Sequence, residues 1–296
     1  MLSPLVECVP NFSEGRDAGK IDAIAGAIAR AGGAVLHRTL DADHNRAVIT
    51  FVAPPERIGE AALRAVESAA ALIDLRGHSG VHPRIGAADV VPFVPLAGVT
   101  MEDCVRIAET TGSRIAEELG IPVYLYDRAA RRPQCRELAD IRRGQFEGLL
   151  EAAVRDPARC PDFGTRLHAT AGAVAVGARK ILIAFNVNLD SPDLGAARAI
   201  ARAVRASSGG LPNVKAMGVL LRSRNLAQVS MNLTDFEVTP LHSAFEAVCR
   251  EAEKLGVRIL ESEIVGLAPR QAVEQAAAHY LRTRELGVLE TRIEAI

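Results

Sequence analysis

The sequence predicts an α+β protein made of two ferredoxin-like α/β subdomains. Short β-branched runs alternate along it with longer segments of helical period. In the second half these follow one another as β-α-β-β-α-β, the split βαβ order, and the first half reads the same way with additions. The 296 residues suffice for two modest domains, each with its own core.

Residues 5–9 read as a strand. Residues 17–31 read as a helix with small residues on its packing face, stopped by Gly32 and Gly33. Strands follow at 35–39 and 47–53, and Pro54 and Pro55 open a helix that runs to about residue 74. A strand at 90–95, a helix at 101–119 and a strand at 122–126 come next, and residues 136–155 read as helical and peripheral. In the second half the reading is strand 181–188, helix 194–206, the strand pair 214–221 and 227–233, helix 240–255 and strand 257–260, with the last helices beginning at Pro269. Each subdomain is expected to be a sheet with helices on one face. The joint is expected at residues 161–172, PDFGTRLHATAG, a stretch too polar and too rich in Gly and Pro for an element. The subdomains are taken as 1–178 and 179–296.

Composition excludes several classes. With 49% hydrophobic and 24% charged residues the chain is globular rather than disordered. Thirty-five Lys and Arg against 36 Asp and Glu leave a net charge of -1, so no global field holds a polyanion. Aromatics are 4% with no Trp, which leaves no stacking platform for single strands; no nucleic-acid partner is expected. No apolar run reaches the ~18 residues of a membrane span, and the start MLSPLVECVPNFSEG lacks the regions of a signal peptide, so a soluble cytoplasmic protein is expected. The five cysteines are scattered, with no CxxC pair, as reduced thiols without a zinc signature. There is no P-loop and no strand-to-helix GxGxxG.

The densest unusual stretch is residues 77–89, GHSGVHPRIGAAD, between a helix and a strand. His78 and His82 have the i, i+4 spacing of a metal pair, but that works only on a helix, which Gly80 and Pro83 oppose. Alternatively His82, with its backbone fixed by Pro83, is a general acid and base, or a loop histidine satisfied by backbone. A second cluster, Asp41-Ala-Asp-His-Asn-Arg46, precedes the strand at 47–53. It is either plain turn chemistry or, if it faces the His82 loop, the source of a carboxylate that orients the imidazole or a cationic substrate. Asn11, and Asn186 and Asn188 on alternate positions of one strand, need partners: a polar ladder or a ligand. Arg179 and Lys180 add cations at the joint.

The motifs VECVPNFSEGR, DADHNR with VITF, HSGVHPRIGAADVVPFVP, PVYLY, PDFG, VGARKILIAFNVNL, LAQVSMNLTDFEVTPLH and SEIVGLAP stand in order from about residue 5 to about residue 280. In them the sequence resembles the glutamate formiminotransferases, the family that includes the transferase portion of the bifunctional formiminotransferase-cyclodeaminases. The resemblance implies transfer of a formimino group from N-formimino-L-glutamate to N5 of tetrahydrofolate, in histidine breakdown. It also implies a dimer, and folate in a ligand groove between the two subdomains. The catalytic histidine then falls at His82 and its acidic partner at Asp41. The folate loop falls on Gly164, Thr165, Arg166, Leu167, His168, Ala169, Thr170, Ala171 and Gly172. Arg46, Arg84 and Arg179 become candidates for the substrate carboxylates, and Asn11, Asn186 and Asn188 further substrate contacts. Tetrahydrofolate is a co-substrate and no metal is expected. The chain ends before any cyclodeaminase domain, so a monofunctional enzyme is expected, with a separate cyclodeaminase as a possible partner. Two other functions compete: transfer from N-formylglutamate, which differs by oxygen for nitrogen, and folate binding without turnover.

Overall fold

The structure is a computed structural model that describes residues 3–284 and 286. The part of the second predicted subdomain beyond residue 286 lies outside the described residues. Two compact units emerge, Met1–Lys180 and Ile181–Ile296, dividing after residue 180 where the sequence reading divides after residue 178.

The first unit runs β1 (Leu5–Cys8), β2 (Asn11–Phe12), α1 (Ala18–Arg30), β3 (Ala34–Asp41), β4 (Arg46–Ala53), α2 (Pro55–Leu72), β5 (Ala88–Ala97), α3 (Met101–Leu119), β6 (Val123–Asp127), α4 (Leu138–Ile141), α5 (Gln145–Arg155) and β7 (Val174–Ala178). Local chemistry sets the helix ends. Asp17 caps α1 by accepting from the amides of Gly19 and Lys20. Pro55 occupies the first turn of α2, where no donor is lost. Thr100 and Asp103 close a capping box on α3, which ends at Gly120 with φ +66°. Ile21, Ile24, Ala25 and Ile28 form the buried stripe of α1.

β1 and β2 both pair with β4 and β5, acting as one strand interrupted at Val9 and Pro10, and β3 pairs with β4 at the edge. The order β5, β1/β2, β4, β3 is the ferredoxin-like core, and all its pairings are antiparallel. β7 extends it, lying parallel between β5 and β6. The sequence reading lacks this strand. VAVGA is wholly buried and short, and a strand covered on both faces carries no alternation to reveal it.

Neighbouring positions of β6 and β7 enter two different cores. Val123, Leu125, Val174 and Val176 pack into the large core with α1, α2 and α3. Tyr124, Tyr126, Ala173 and Ala175 pack with Ile141, Leu149 and Ala153 of α4 and α5. This corrects the expectation of helices on one face only for the first unit: residues 138–155 cover part of the second face.

Residues 161–172 are not a joint. The amide of Val123 donates to Phe163 O at 2.9 Å, Leu75 N to Thr170 O at 2.9 Å, Ala87 N to Ala171 O at 2.9 Å and Ala173 N to Ile85 O at 2.9 Å. A polar, Gly-rich stretch can be fixed through its backbone alone, which composition does not disclose. Gly172 has φ +70°, and a Cβ on it would stand 2.1 Å from Ile85 O; one on Gly86 would stand 1.9 Å from Ala173 O. Both positions therefore exclude a side chain, and loop 164–172 lies directly against the segment 75–87.

The second unit is β8 (Ile183–Leu189), α6 (Leu194–Val204), β9 (Val214–Leu221), β10 (Leu226–Leu233), α7 (Leu241–Lys254), β11 (Ile259–Val265) and α8 (Arg270–Leu281). Its antiparallel order β11, β8, β10, β9 is the ferredoxin-like arrangement anticipated from the sequence. Ile183, Phe185, Val187 and Leu189 face a core built with α6 and α7.

Candidate active site

The β3–β4 hairpin closes with Asp41 opposite Arg46. Inside the turn Asp41 Oδ1 accepts from the His44 amide at 2.8 Å, and its Oδ2 meets His44 Nδ1 at 2.7 Å. Burial works against the Asp41 charge, but these bonds from His44 prevail and hold its carboxyl below the usual carboxylate value. The carboxylate thus orients an imidazole as the sequence suggests, but the ring is that of His44 and not of His82. Asn45, at φ +48°, ties the turn to its surroundings. Its Oδ1 accepts from Gly15 N at 2.9 Å and its Nδ2 donates to Ser79 O at 3.0 Å. Asn tolerates this left-handed backbone better than most residues.

His82 comes from the loop that follows. Arg46 Nη1 donates to His82 Nε2 at 2.8 Å, and the ring lies with its centroid 6.4 Å from that of His44. Arginine has no acceptor to offer, so Nε2 must be the unprotonated nitrogen and the ring is neutral. Burial first, then the charges of Arg46 and Arg142, push its pKa well below the usual 6.5. The Arg46 guanidinium is itself lowered to about 10, by burial and by Arg142, against the opposing pull of Asp41 and Asp89. Behind it Asp89 accepts from Arg142 Nε at 2.9 Å, and from Arg142 Nη2, and its other oxygen accepts from Ile85 N at 2.7 Å. Asp41, Arg46, Asp89 and Arg142 thus alternate in sign around a neutral imidazole.

The other predicted residues are placed as follows. Arg84 is 7% exposed, with its guanidinium on both oxygens of Glu147 at 2.8 and 2.7 Å and on Gln145 Oε1 at 3.2 Å. Its Nε donates to His78 Nδ1 at 3.1 Å, and His78 Nε2 donates to Asn45 O at 3.0 Å, so both His78 nitrogens are engaged. Asn11 Nδ2 donates to Val9 O at 3.2 Å. Arg179 donates from Nη1 to Lys180 O at 2.9 Å and bonds the Tyr126 side chain. In loop 164–172 His168 Nδ1 accepts from Ala171 N at 3.1 Å, while Thr165 and Arg166 are exposed. Within the second unit Asn186 Nδ2 donates to Glu263 at 3.0 Å, Asn188 Nδ2 to Glu261 at 3.1 Å and Gln228 Nε2 to Asn188 Oδ1 at 2.9 Å. This is the polar ladder weighed against ligand contact. Among the described residues Gln228 Oε1 is buried with no partner.

Sequence reasoning missed His44, Asn45, Asp89 and Arg142 as site residues. For His44 a signal existed: an Asp three residues before a His at a turn is the spacing of a side chain bonding back to local backbone. A cleft of about 580 Å³ lies beside the turn, lined among others by Ser13, Glu14, Arg16, Lys20, Asn45 and His78. Among the described residues no group of three or more His, Cys, Asp or Glu converges on a metal position, and no helix is long and apolar enough to cross a membrane.

The Arg84–Glu147 pair yields a pH prediction. The Arg84 hydrogen bonds bring the Glu147 carboxyl down from 4.5 to about 2. A depressed carboxyl contributes stability above its unfolded value and loses it as pH falls through the folded one. Stability should therefore decline between about pH 4.5 and about 2 partly through this group. Denaturant titrations of Glu147→Gln should show a shallower decline across that window, and an unchanged slope would remove the pair from the acid transition.

The fold and these residues define a two-unit α+β protein in which two imidazoles and four charges of alternating sign gather at the β3–β4 hairpin. Residues 5–179 match the model of the formiminotransferase domain, N-terminal subdomain, and residues 184–295 that of the formiminotransferase domain. The chain belongs to the formiminotransferase family. It is 47% identical over 295 residues to a glutamate formimidoyltransferase of Thermoplasma acidophilum, covering 98% of this chain and 97% of the other. To one of Streptococcus pyogenes it is 45% identical, covering 96% and 95%. It is also 48% identical to a formimidoyltransferase-cyclodeaminase of Sus scrofa, covering 98% of this chain and 54% of that protein.

Proposed function

We propose that the chain is a glutamate formimidoyltransferase. It transfers the formimino group from N-formimino-L-glutamate to N5 of tetrahydrofolate, releasing L-glutamate and 5-formiminotetrahydrofolate, in histidine breakdown. The observation that carries this reading is 47% identity over 98% of the chain to a curated glutamate formimidoyltransferase. The enzyme acts on small molecules in the cytoplasm as a homodimer, uses tetrahydrofolate as co-substrate without a metal, and works beside a separate cyclodeaminase, as the combined name of the Sus scrofa relative suggests.

The chemistry asks for one proton to leave N5 as it attacks the amidine carbon, and for one to reach the glutamate nitrogen as it departs. His82 takes part in that transfer, with Asp41 in support. Arg46 is the cation nearest this imidazole, and its guanidinium suits a carboxylate better than an imidazole lone pair. A substrate carboxylate drawing the Arg46 hydrogen bond to itself frees His82 Nε2 to take up and pass on a proton, so transfer begins only when the glutamyl group is in place. Loop 164–172 holds the folate. Its backbone bonds to the segment 75–87 support that role, because they hold it beside the loop carrying His82. Asn11, Arg84 and Arg179 complete the binding residues of the first unit. Purified protein mixed with tetrahydrofolate and N-formimino-L-glutamate should yield the 5-formimino product by mass spectrometry. Folate binding with no product would leave only a binding protein, and product from N-formylglutamate alone would replace the donor.

A further inference from the structure

Two histidines stand side by side in the first unit with opposite surroundings. His44 is 7% exposed and its Nδ1 is fixed on Asp41 Oδ2 at 2.7 Å. Among the described residues no hydrogen bond engages its Nε2. His82 has the reverse arrangement: its Nε2 accepts from the Arg46 cation, and Arg142 adds a second positive charge. The ring centroids are 6.4 Å apart and tilted by 59°. The charged groups acting on the pair are Asp41 and Arg46 from the hairpin and Arg142 on His82, with Asp89 acting on Arg46.

A carboxylate on Nδ1 stabilises the imidazolium that forms when Nε2 takes a proton, as in the acceptor of a hydrolase triad. A cation on the imidazole does the opposite and makes the ring, once protonated, a ready donor. Two neighbouring imidazoles with opposite hydrogen-bond partners can divide acid and base work between them.

We propose that the Asp41–His44 pair is the proton acceptor of the transfer and that His82, backed by Arg46, is its donor. The inference rests on the transferase reading above. As the N5 lone pair forms the new bond to the amidine carbon, the N5 proton passes to His44 Nε2, and Asp41 holds the resulting imidazolium. With Arg46 engaged by the substrate carboxylate, the proton crosses to the freed Nε2 of His82, and His82 delivers it to the glutamate nitrogen as its bond to carbon breaks and the C=N double bond re-forms. Both imidazoles begin and end neutral, and no outside acid, base or oxidant is consumed. The two variants are thereby predicted to fail at different steps.

The experiment compares the full-length wild-type chain, His44→Gln and His82→Gln with two donors. One is N-formimino-L-glutamate and the other N-formimino-4-fluoroglutamate, whose departing amine is less basic and needs less help from an acid. Both variants should lose ~10²-fold or more in kcat, the usual range for general acid–base groups. With the fluorinated donor the His82→Gln deficit should shrink several-fold while the His44→Gln deficit stays. Asp41→Asn serves as a second probe should His44→Gln fail to fold, and it should behave as His44→Gln does. A merely structural role lowers turnover equally for both donors. Deficits that shrink together, a His44→Gln enzyme within threefold of wild type, or losses confined to KM would overturn the assignment. A wild-type chain that makes no 5-formimino product fails the transferase reading itself, and this inference with it.

Discussion

Replacing Asp89 with alanine is expected to lower stability by about 3 to 5 kcal/mol, the cost of removing one member of a buried ion pair. Asp89 is 2% exposed and satisfies three donors: Ile85 N, Arg142 Nε and Arg142 Nη2. Without it Arg142, whose side chain is 13% exposed, keeps its charge with no counter-ion beside it, and Arg46 loses one of the two carboxylates that oppose its repulsion by Arg142. In a thermal melt the loss should read as a fall on the order of 10 °C for a body of this size. The double variant Asp89→Leu with Arg142→Met should recover much of it, because replacing both charges by apolar groups removes the uncompensated cation that the single change leaves behind. Equal melting points for Asp89→Ala and wild type would mean the pair is not buried in solution. Since the same alanine removes a negative charge from behind Arg46, the change should also make His82 still harder to protonate.

What was legible in the sequence follows from how local each signal is. The helix at 101–119 and the strand at 214–221 coincide with α3 and β9. Thr100, Asp103 and Gly120 mark the ends of α3 within the sequence itself, and β9 begins just after a Pro-containing turn. β7 and the true course of residues 161–172 were hidden, because a fully buried short strand and a loop held by backbone bonds leave no periodic side-chain pattern. The site shows the same division. Arg46, Asp41 and His82 were identified as residues, but not whom they bind. The bond from Arg46 to His82 spans 36 positions and that from Arg84 to Glu147 spans 63, so neither is set by local spacing. The Asp41–His44 contact spans only 3, yet the family resemblance pairs the carboxylate with the distant ring of His82, and the residues alone leave plain turn chemistry as the other reading. Asn186 and Asn188 were read correctly as sharing one face, since alternation along a strand is local, and their partners Glu261 and Glu263 lie across the pairing of β8 with β11.

Changing His82 to glutamine should cost at least ~10²-fold in turnover, by removing a proton-transfer group from the reaction, while leaving the hydrogen bond to Arg46 in place. The amide oxygen can accept from Arg46 Nη1 as Nε2 does now, so lost activity cannot be put down to an unpaired guanidinium. Alanine at this position removes both and should be the less stable of the two. The same ring also predicts a stability signature independent of turnover. Its folded pKa lies below the unfolded 6.5, so the unfolded chain binds the proton more readily. Stability from this group is therefore complete above about pH 6.5 and is lost as pH falls below it, the opposite of a histidine paired with a carboxylate. Denaturant midpoints of His82→Gln should fall less steeply than those of wild type between pH 7 and pH 5. An identical slope would show that the ring reaches solvent and takes up its proton freely, and with that the case for a cation-backed donor at position 82 would fail.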